Sequence, residues 1–172
     1  MPQLPLLNEA NIRPSSGNTR IDKLIKQIDT TLQEFIASYA GLTEDQMKEP
    51  GVCADWSVRD LIAHVTWWDQ EALDHLPMIL EGHRPPKYSV TYEGGMDGFN
   101  ALMTEQKRHL TLDEVQQEFE STHAALVDYI LNQPPERIFA QPLFRRRLKL
   151  DTFGHYPIHK ADILTWRSQK SL

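Results

Sequence analysis

The chain has 172 residues, of which 40% are hydrophobic and 24% charged, so it can form one domain with a substantial core, and a disordered or low-complexity chain is excluded. Its formal net charge of −6 repels phosphate backbones, and no stretch approaches the roughly 20 apolar residues of a membrane helix. The single cysteine, Cys53, excludes an internal disulfide and a cysteine-based zinc finger. We therefore expect a cytoplasmic protein with a small-molecule substrate and no nucleic-acid or membrane partner. For the oligomeric state, a monomer and a homodimer are both compatible with the sequence.

The chain begins with a segment that lacks the pattern of a helix or strand. Residues 1–17 contain Pro2, Pro5 and Pro14 and end in a Ser-Ser-Gly run. We predict that residues 1–17 form a flexible N-terminal arm and that residues 18–172 form a single four-helix-bundle domain.

Three long amphipathic helices are predicted from apolar residues that recur three and four positions apart. The first runs over Thr19–Tyr39, and the second and third have apolar stripes that reach Leu76 and Ile130. Each helix follows a capping-box pattern, in which a hydroxyl and a carboxylate three residues later satisfy free amides. The three predicted boxes are Thr19 with Asp22, Ser57 with Asp60, and Thr111 with Glu114.

The rest of the chain contains shorter predicted elements. A helical turn is predicted over residues 43–48, Pro77 should end or kink the second long helix, and a lesser helix is predicted over residues 97–108. Residues 82–98 form a predicted loop, residues 143–150 a short extended basic stretch, and residues 152–167 a fourth helix in which Pro157 is tolerable only near the first turn. The sum is an all-α four-helix bundle with a long crossover connection.

Two histidines on the fourth predicted helix can share a ligand. His155 and His159 are four residues apart, which places both imidazoles on one helix face in a geometry that can grip a metal ion. The pair lacks the glutamate of the His-Glu-x-x-His zinc-protease motif. From these residues alone, ordinary packed or solvated histidines remain the alternative.

A third ligand must come from another helix. His64 lies at the edge of the apolar face of the second helix, where a neighbouring helix packs. It is either the third ligand or an ordinary core-edge histidine. His123 is its rival on the buried stripe of the third helix, as a ligand, as a hydrogen-bond partner of a ligand, or as a core residue.

Other chemistry has less support in the sequence. Cys53 precedes a helix but has no evident base, so we interpret it as a dispensable loop residue. Motifs of serine hydrolases, phosphate-binding loops and dinucleotide-binding folds are missing from the sequence. Arg145, Arg146 and Arg147, followed by Lys149, form either a solvated basic turn or a binding site for an anionic substrate.

Three segments together resemble the DinB/YfiT-like superfamily. They are residues 56–64 (Trp-Ser-Val-Arg-Asp-Leu-Ile-Ala-His), the helix start at residues 97–100, and residues 151–167 with both histidines. The resemblance implies a four-helix bundle that holds a divalent metal, expected to be zinc or nickel, through His64, His155 and His159.

The same resemblance implies a metal-dependent enzyme that transfers a low-molecular-weight thiol, such as bacillithiol or mycothiol, or that acts as a hydrolase. Three protein ligands leave an open position where a water or thiol is activated. We assign Asp162 as a candidate catalytic residue or partner of a ligand ring. Trp68 and Trp166 are candidate pocket walls, and Arg145, Arg146 and Arg147 candidate contacts for an anionic cofactor.

Two other classes remain as alternatives. The first is a non-catalytic bundle that binds a metal or ligand or serves in a stress response. The second is a metal-independent protein of the ClbS/DfsB-like group, which is similar in size and fold. An open coordination position reachable from solvent favours the enzyme, whereas a closed site with four protein ligands favours a structural role.

Overall fold

The computed structural model describes residues 15–172, so most of the predicted arm, residues 1–14, lies outside the described residues. At the start of the first helix, Ser15 Oγ and the Ser16 amide donate to the Asp22 carboxylate at 2.6 and 2.8 Å. The cap is Asn18, whose Oδ1 accepts hydrogen bonds from two amides of the first turn. The predicted box at Thr19 is therefore wrong: Asp22 binds the residues before the helix instead.

The described residues are helical apart from turns, loops and an isolated bridge between Cys53 and Trp56. The helices are α1 (Thr19–Tyr39), α2 (Glu44–Lys48), α3 (Val58–Leu80), α4 (Tyr88–Thr91), α5 (Gly95–Lys107), α6 (Leu112–Leu131), α7 (Pro135–Ala140), α8 (Pro142–Asp151) and α9 (Tyr156–Lys170). The long helices α1, α3, α6 and α9 form the bundle. This confirms the predicted all-α class and four-helix architecture.

The bundle is two packed helix pairs around one core. Helix α1 lies along α9, and α3 lies along α6 and also contacts α8. The two pairs meet at Phe35 of α1, whose ring lies 6.2 Å from that of Phe119 on α6 and 6.3 Å from that of Tyr156 on α9. All three rings are fully or almost fully buried, and each such side chain contributes about 1.5–3 kcal/mol of hydrophobic stabilisation.

Two of the predicted capping boxes are confirmed. Ser57 and Asp60 satisfy each other's amides at the start of α3, and Thr111 and Glu114 do so at the start of α6. Helix α3 does not end at Pro77 but continues to Leu80.

The connection between α3 and α6 contains α4, which lies inside the predicted loop, and α5, which confirms the lesser helix predicted over residues 97–108. Both pack on α3 through a second, smaller aromatic core. The buried members of this core are Trp68, Phe99 and Met103, with Tyr88 and Tyr92 packed against them. Trp68, which lies on α3 itself, connects this core to His64, with 6.2 Å between the ring centroids.

The basic stretch at residues 143–150 is helical, so the predicted extended stretch is wrong. Phe144, Arg147, Leu148 and Asp151 recur at helical spacing and are buried, and Pro142 occupies the first turn of α8, where its missing amide costs nothing. Burial of one face decides this segment's structure.

Helix α9 begins later than predicted, at Tyr156, with His155 as its N-cap residue. Pro157 lies in the first turn, where a proline is compatible with a helix. The turn before it is tight, since a Cβ atom on Gly154 would lie 2.6 Å from the Lys149 carbonyl oxygen. This turn fixes the start of α9 against the end of α8.

Within residues 15–172, none of the helices combines the length and hydropathy that a membrane span requires.

Candidate metal centre

Three imidazoles from two parts of the fold meet at one point. The Nε2 atom of His155 lies 3.2 Å from Nε2 of His64 and 2.9 Å from Nε2 of His159. One ring nitrogen from each histidine lies within 4.8 Å of the others. Residues 91 positions apart in the chain are thus brought together by the packing of α3 against the start of α9.

The separations of His155 from the other two rings are close to what one ion requires. Nitrogens bound at about 2.1 Å and tetrahedral angles lie about 3.4 Å apart. The contacts of 3.2 and 2.9 Å need only a small outward movement to reach that value. In the described part of the chain, this is the one cluster of three potential metal ligands.

Asp162 fixes the orientation of one ring. Its Oδ2 atom lies 3.0 Å from Nδ1 of His159, three residues earlier on α9. Nδ1 of the neutral ring donates to this carboxylate, which leaves a lone pair on Nε2 at the centre. A carboxylate behind a ligating histidine is a common arrangement in metal sites.

Two indole rings shield His64. The ring centroid of Trp56 lies 4.8 Å from that of His64, and the centroid of Trp68 lies 6.2 Å away. The Trp68 ring also contacts His155, with 5.7 Å between centroids. His64 and His159 are buried, whereas His155 is partly exposed, so the centre lies at the edge of the core.

This environment keeps the imidazoles neutral. Burial, followed by the neighbouring His155 and His159, lowers the pKa of His64 to about 2. Burial and His159 lower the pKa of His155 to about 3. Burial also lowers the pKa of His159, against the opposing effect of Asp162. All three rings therefore carry lone pairs at neutral pH, which is the form that binds a metal.

The donor set fits a divalent ion. Neutral imidazole nitrogens suit zinc, nickel and their neighbours in the first transition row. Without a cation, the Nε2 atom of His155 faces two other ring nitrogens and can share at most one hydrogen with them. A cation at the centre relieves this crowding of lone pairs.

His123 does not belong to the cluster of three. It is buried on α6, with Nδ1 3.3 Å from Asp69 Oδ2 and Nε2 3.6 Å from Asp29 Oδ1. Hydrogen bonds and charge from these two carboxylates outweigh burial and raise its pKa. Of the three roles considered for His123, the geometry favours a core residue with polar partners.

The arginines of the predicted basic cluster lie on different faces of α8. Arg145 and Arg146 are exposed, whereas Arg147 is buried and bonds through Nε to Asp151 at 2.5 Å. The Arg147 guanidinium also donates to the Tyr88 hydroxyl at 2.7 Å and faces the ring of Trp68. Arg147 is thus committed to internal partners and is not a free contact for an anionic cofactor.

The remaining predicted site residues lie in different surroundings. Trp166 is buried in the main core, with the Lys170 ammonium over its ring, and Trp68 belongs to the smaller aromatic core beside the histidines. Cys53 is half-buried, and burial together with the Asp162 charge raises its pKa. A raised pKa disfavours the thiolate, which agrees with a dispensable thiol.

Two residues near the centre are not predicted as site residues from the sequence. Trp56 belongs to the motif of residues 56–64, and its ring contacts His64. Asp69 is fully buried and accepts a hydrogen bond from the Tyr156 hydroxyl at 2.5 Å. Its signal was available, because a charged residue occupies a stripe position of α3 four residues after buried Val65 and three before buried Ala72.

Three solved structures are similar to this chain over almost their whole length. A protein titled "Sibling Lethal Factor Precursor - DfsB" has 17% identity and a TM-score of 0.72, with 89% of this chain and 98% of that chain covered. An uncharacterised protein from Escherichia coli UTI89 has 14% identity and a TM-score of 0.71, with 88% and 95% covered. A protein from Streptococcus pneumoniae has 13% identity and a TM-score of 0.72, with 92% and 95% covered. These similarities establish the fold.

Family membership rests on the sequence match. No curated protein matches the chain. Residues 29–154, well over half of the chain, match the family described as the mycothiol maleylpyruvate isomerase N-terminal domain. The match spans α3 with His64 and ends just before His155. The chain therefore belongs to this family, within the DinB/YfiT-like superfamily.

Proposed function

We propose that this protein is a metal-dependent enzyme whose divalent ion is held by His64, His155 and His159. The observation that carries the proposal is the convergence of three neutral imidazoles, with Nε2 contacts of 3.2 and 2.9 Å, beside the partly exposed His155. Such an ion supplies Lewis acidity, which lowers the pKa of a water or thiol that occupies its open position.

The protein's own residues hold the site and manage protons. Asp162 keeps the His159 ring in one orientation, and its side chain remains 33% exposed. Its outer oxygen is therefore accessible to accept a proton from an incoming substrate group. Trp56 and Trp68 exclude water from the His64 side, and Trp56, which is partly exposed, presents apolar surface to the substrate.

Two reaction classes fit this arrangement. The family description names mycothiol, a low-molecular-weight thiol, which supports such a thiol as cofactor. Two points support the hydrolase. The burial of Arg147 removes part of the basic surface expected to recognise an anionic thiol. Hydrolysis requires only a water and a pocket. We favour thiol transfer, with hydrolysis as the second candidate.

Cobalt substitution tests the proposal and separates the two classes. Cobalt-loaded protein should show visible absorption bands that shift when mycothiol or bacillithiol is added, because sulfur bound at the open position changes the ligand field. Glutathione serves as a comparison thiol. Spectra indifferent to all three thiols, together with ester or amide hydrolysis that chelation abolishes, would favour the hydrolase. If purified protein takes up no metal, the proposal fails and the ClbS/DfsB-like alternative applies.

The lowered pKa values predict how pH affects metal binding. An ordinary histidine has a pKa near 6.5, so the sequence alone predicts that affinity falls below that pH. Burial lowers the pKa values of His64 and His155 to about 2 and 3, so protons do not compete with the metal for these two ligands at pH 6. Burial lowers the pKa of His159 as well, against the effect of Asp162. Zinc titration by calorimetry at pH 6, in buffers of different ionisation enthalpy, should therefore show release of less than one proton per zinc. Release of two or more protons would contradict the neutral state of His64 and His155.

The same shifts have a defined sign for stability. Because the folded pKa values lie below 6.5, the unfolded chain binds protons that the folded metal-free protein does not, and these histidines make it less stable as pH falls below 6.5.

A further inference from the structure

A second polar cluster lies in the bundle core, and each of the four long helices contributes one residue to it. Tyr156 of α9 donates to Asp69 of α3 at 2.5 Å, and His123 of α6 lies 3.3 Å from the other oxygen of the same carboxylate. Asp29 of α1 faces the far side of His123, at 3.6 Å. Tyr156 and Asp69 are fully buried, and His123 is 5% exposed.

The Asp69–Tyr156 bond lies where the candidate metal centre is assembled. Tyr156 directly follows His155, and Asp69 lies five residues after His64 on the same helix. The bond therefore joins the helix that carries His64 to the turn that carries His155 and leads to His159.

This bond is one of few direct contacts between the two helices. Helix α3 packs mainly on α6 and α8, and α9 packs mainly on α1, whereas direct contact between α3 and α9 is much less extensive. The packing of α8 on α3 and the tight turn after α8 place His155 near His64, but direct packing between α3 and α9 adds little to the position of His159. A short, fully buried hydrogen bond to a carboxylate is directional and strong enough to fix α9 relative to α3.

We infer that Asp69 and Tyr156 are positioning residues that hold His64 at ligand distance from His155 and His159. This inference rests on the proposed metal site and concerns residues that contact neither the ion nor the substrate. The Tyr156 hydroxyl fixes the position of α9 along α3, and the contact from His123 orients the Asp69 carboxylate toward it. The site is thereby pre-organised before metal binds.

The test compares two buried tyrosines in the same core. Tyr156→Phe removes the hydroxyl that bonds Asp69. Tyr39→Phe is the matched control, because the Tyr39 hydroxyl is buried without a hydrogen-bond partner in the described residues and its ring also contacts Phe35. We expect Tyr156→Phe to weaken zinc binding about tenfold, in the range seen when support of a ligand is removed. Tyr39→Phe should leave zinc binding unchanged.

Two further measurements separate positioning from stability. Zinc affinity is measured by chelator competition at a temperature where circular dichroism shows each variant fully folded, and the cobalt spectrum of Tyr156→Phe should shift or broaden as the ligand geometry loosens. Asp69→Asn keeps an oxygen that accepts the Tyr156 hydrogen, so its zinc affinity should stay within about threefold of that of the unmodified protein. If Tyr156→Phe does not fold, Asp69→Ala removes the same bond from the α3 side and should give the same loss.

The outcomes distinguish this inference from the proposed function. If the unmodified protein binds no zinc, the metal site itself is wrong. If it binds zinc, and Tyr156→Phe or Asp69→Ala binds zinc with unchanged affinity and an unchanged cobalt spectrum, only the positioning role is overturned.

Discussion

Replacing His159 with alanine is expected to reduce the zinc or nickel content of tag-free protein from about one equivalent to near zero. His159 supplies one of the three converging nitrogens, and its ring is the one that Asp162 orients. Two remaining imidazoles bind an ion far more weakly than three, so we expect affinity to fall by more than about a hundredfold. Elemental analysis after dialysis against a weak chelator measures the effect.

Two control variants accompany this measurement. His109→Ala removes an exposed histidine, and Cys53→Ser removes the single thiol, whose pKa burial raises. Both should keep the full metal content. Equal metal content in His159→Ala and in the controls would show that the ion binds elsewhere, and loss of metal in folded Cys53→Ser would assign the thiol a role that the site does not give it.

Arg147→Ala is expected to destabilise the metal-free protein by about 3–5 kcal/mol, because it leaves the buried Asp151 carboxyl without its partner. Burial already raises the pKa of Asp151, and the Arg147 charge opposes that shift. The variant also removes the bond to the Tyr88 hydroxyl, which links α8 to the aromatic unit of α4. Urea unfolding of the metal-free protein gives the difference in free energy.

Neighbouring arginines on the same helix supply matched controls. Arg145→Ala and Arg146→Ala remove equal charges from exposed positions of α8 and should change stability by less than about 0.5 kcal/mol. If Arg147→Ala were as stable as these two variants but bound thiols more weakly, Arg147 would be a cofactor contact, as the sequence pattern suggested, and not an internal ion-pair partner.

The successful sequence predictions rest on local rules. Hydroxyl and carboxylate pairs three residues apart marked the starts of α3 and α6, since a capping box involves only neighbouring residues. The same pattern at Thr19 was misleading because Ser15 and Ser16 bind Asp22, leaving Asn18 to cap α1.

The wrong prediction for residues 143–150 concerns a buried charge. These residues look solvated because four of them are basic. Burial of Arg147 is favourable because it pairs with Asp151, one turn later on the same helix, and with Tyr88, which is distant in the chain. Phe144, Arg147, Leu148 and Asp151 have helical spacing in the sequence, but the run of positive charges is typical of an exposed segment. A charged residue at a position of the apolar helix face indicates a buried polar contact, and Asp69 on α3 is a second example.

The candidate metal ligands were predicted partly from local spacing and partly from family resemblance. The spacing of His155 and His159 drew attention to one pair, whereas the choice of His64 over His123 depended on resemblance to a known superfamily. In the fold, His155 is the N-cap residue of α9 and not part of the helix, so the two rings meet across the first turn. Sequence spacing identified the pair but not the backbone geometry that brings the rings together.

Anomalous diffraction from crystals of metal-replete, tag-free protein tests the central claim most directly. Data collected on both sides of the zinc and nickel absorption edges identify the element and its position. We predict one peak about 2.1 Å from the Nε2 atoms of His64, His155 and His159, with no fourth protein ligand. A peak on other residues, or no peak within bonding distance of these three nitrogens, would contradict the account.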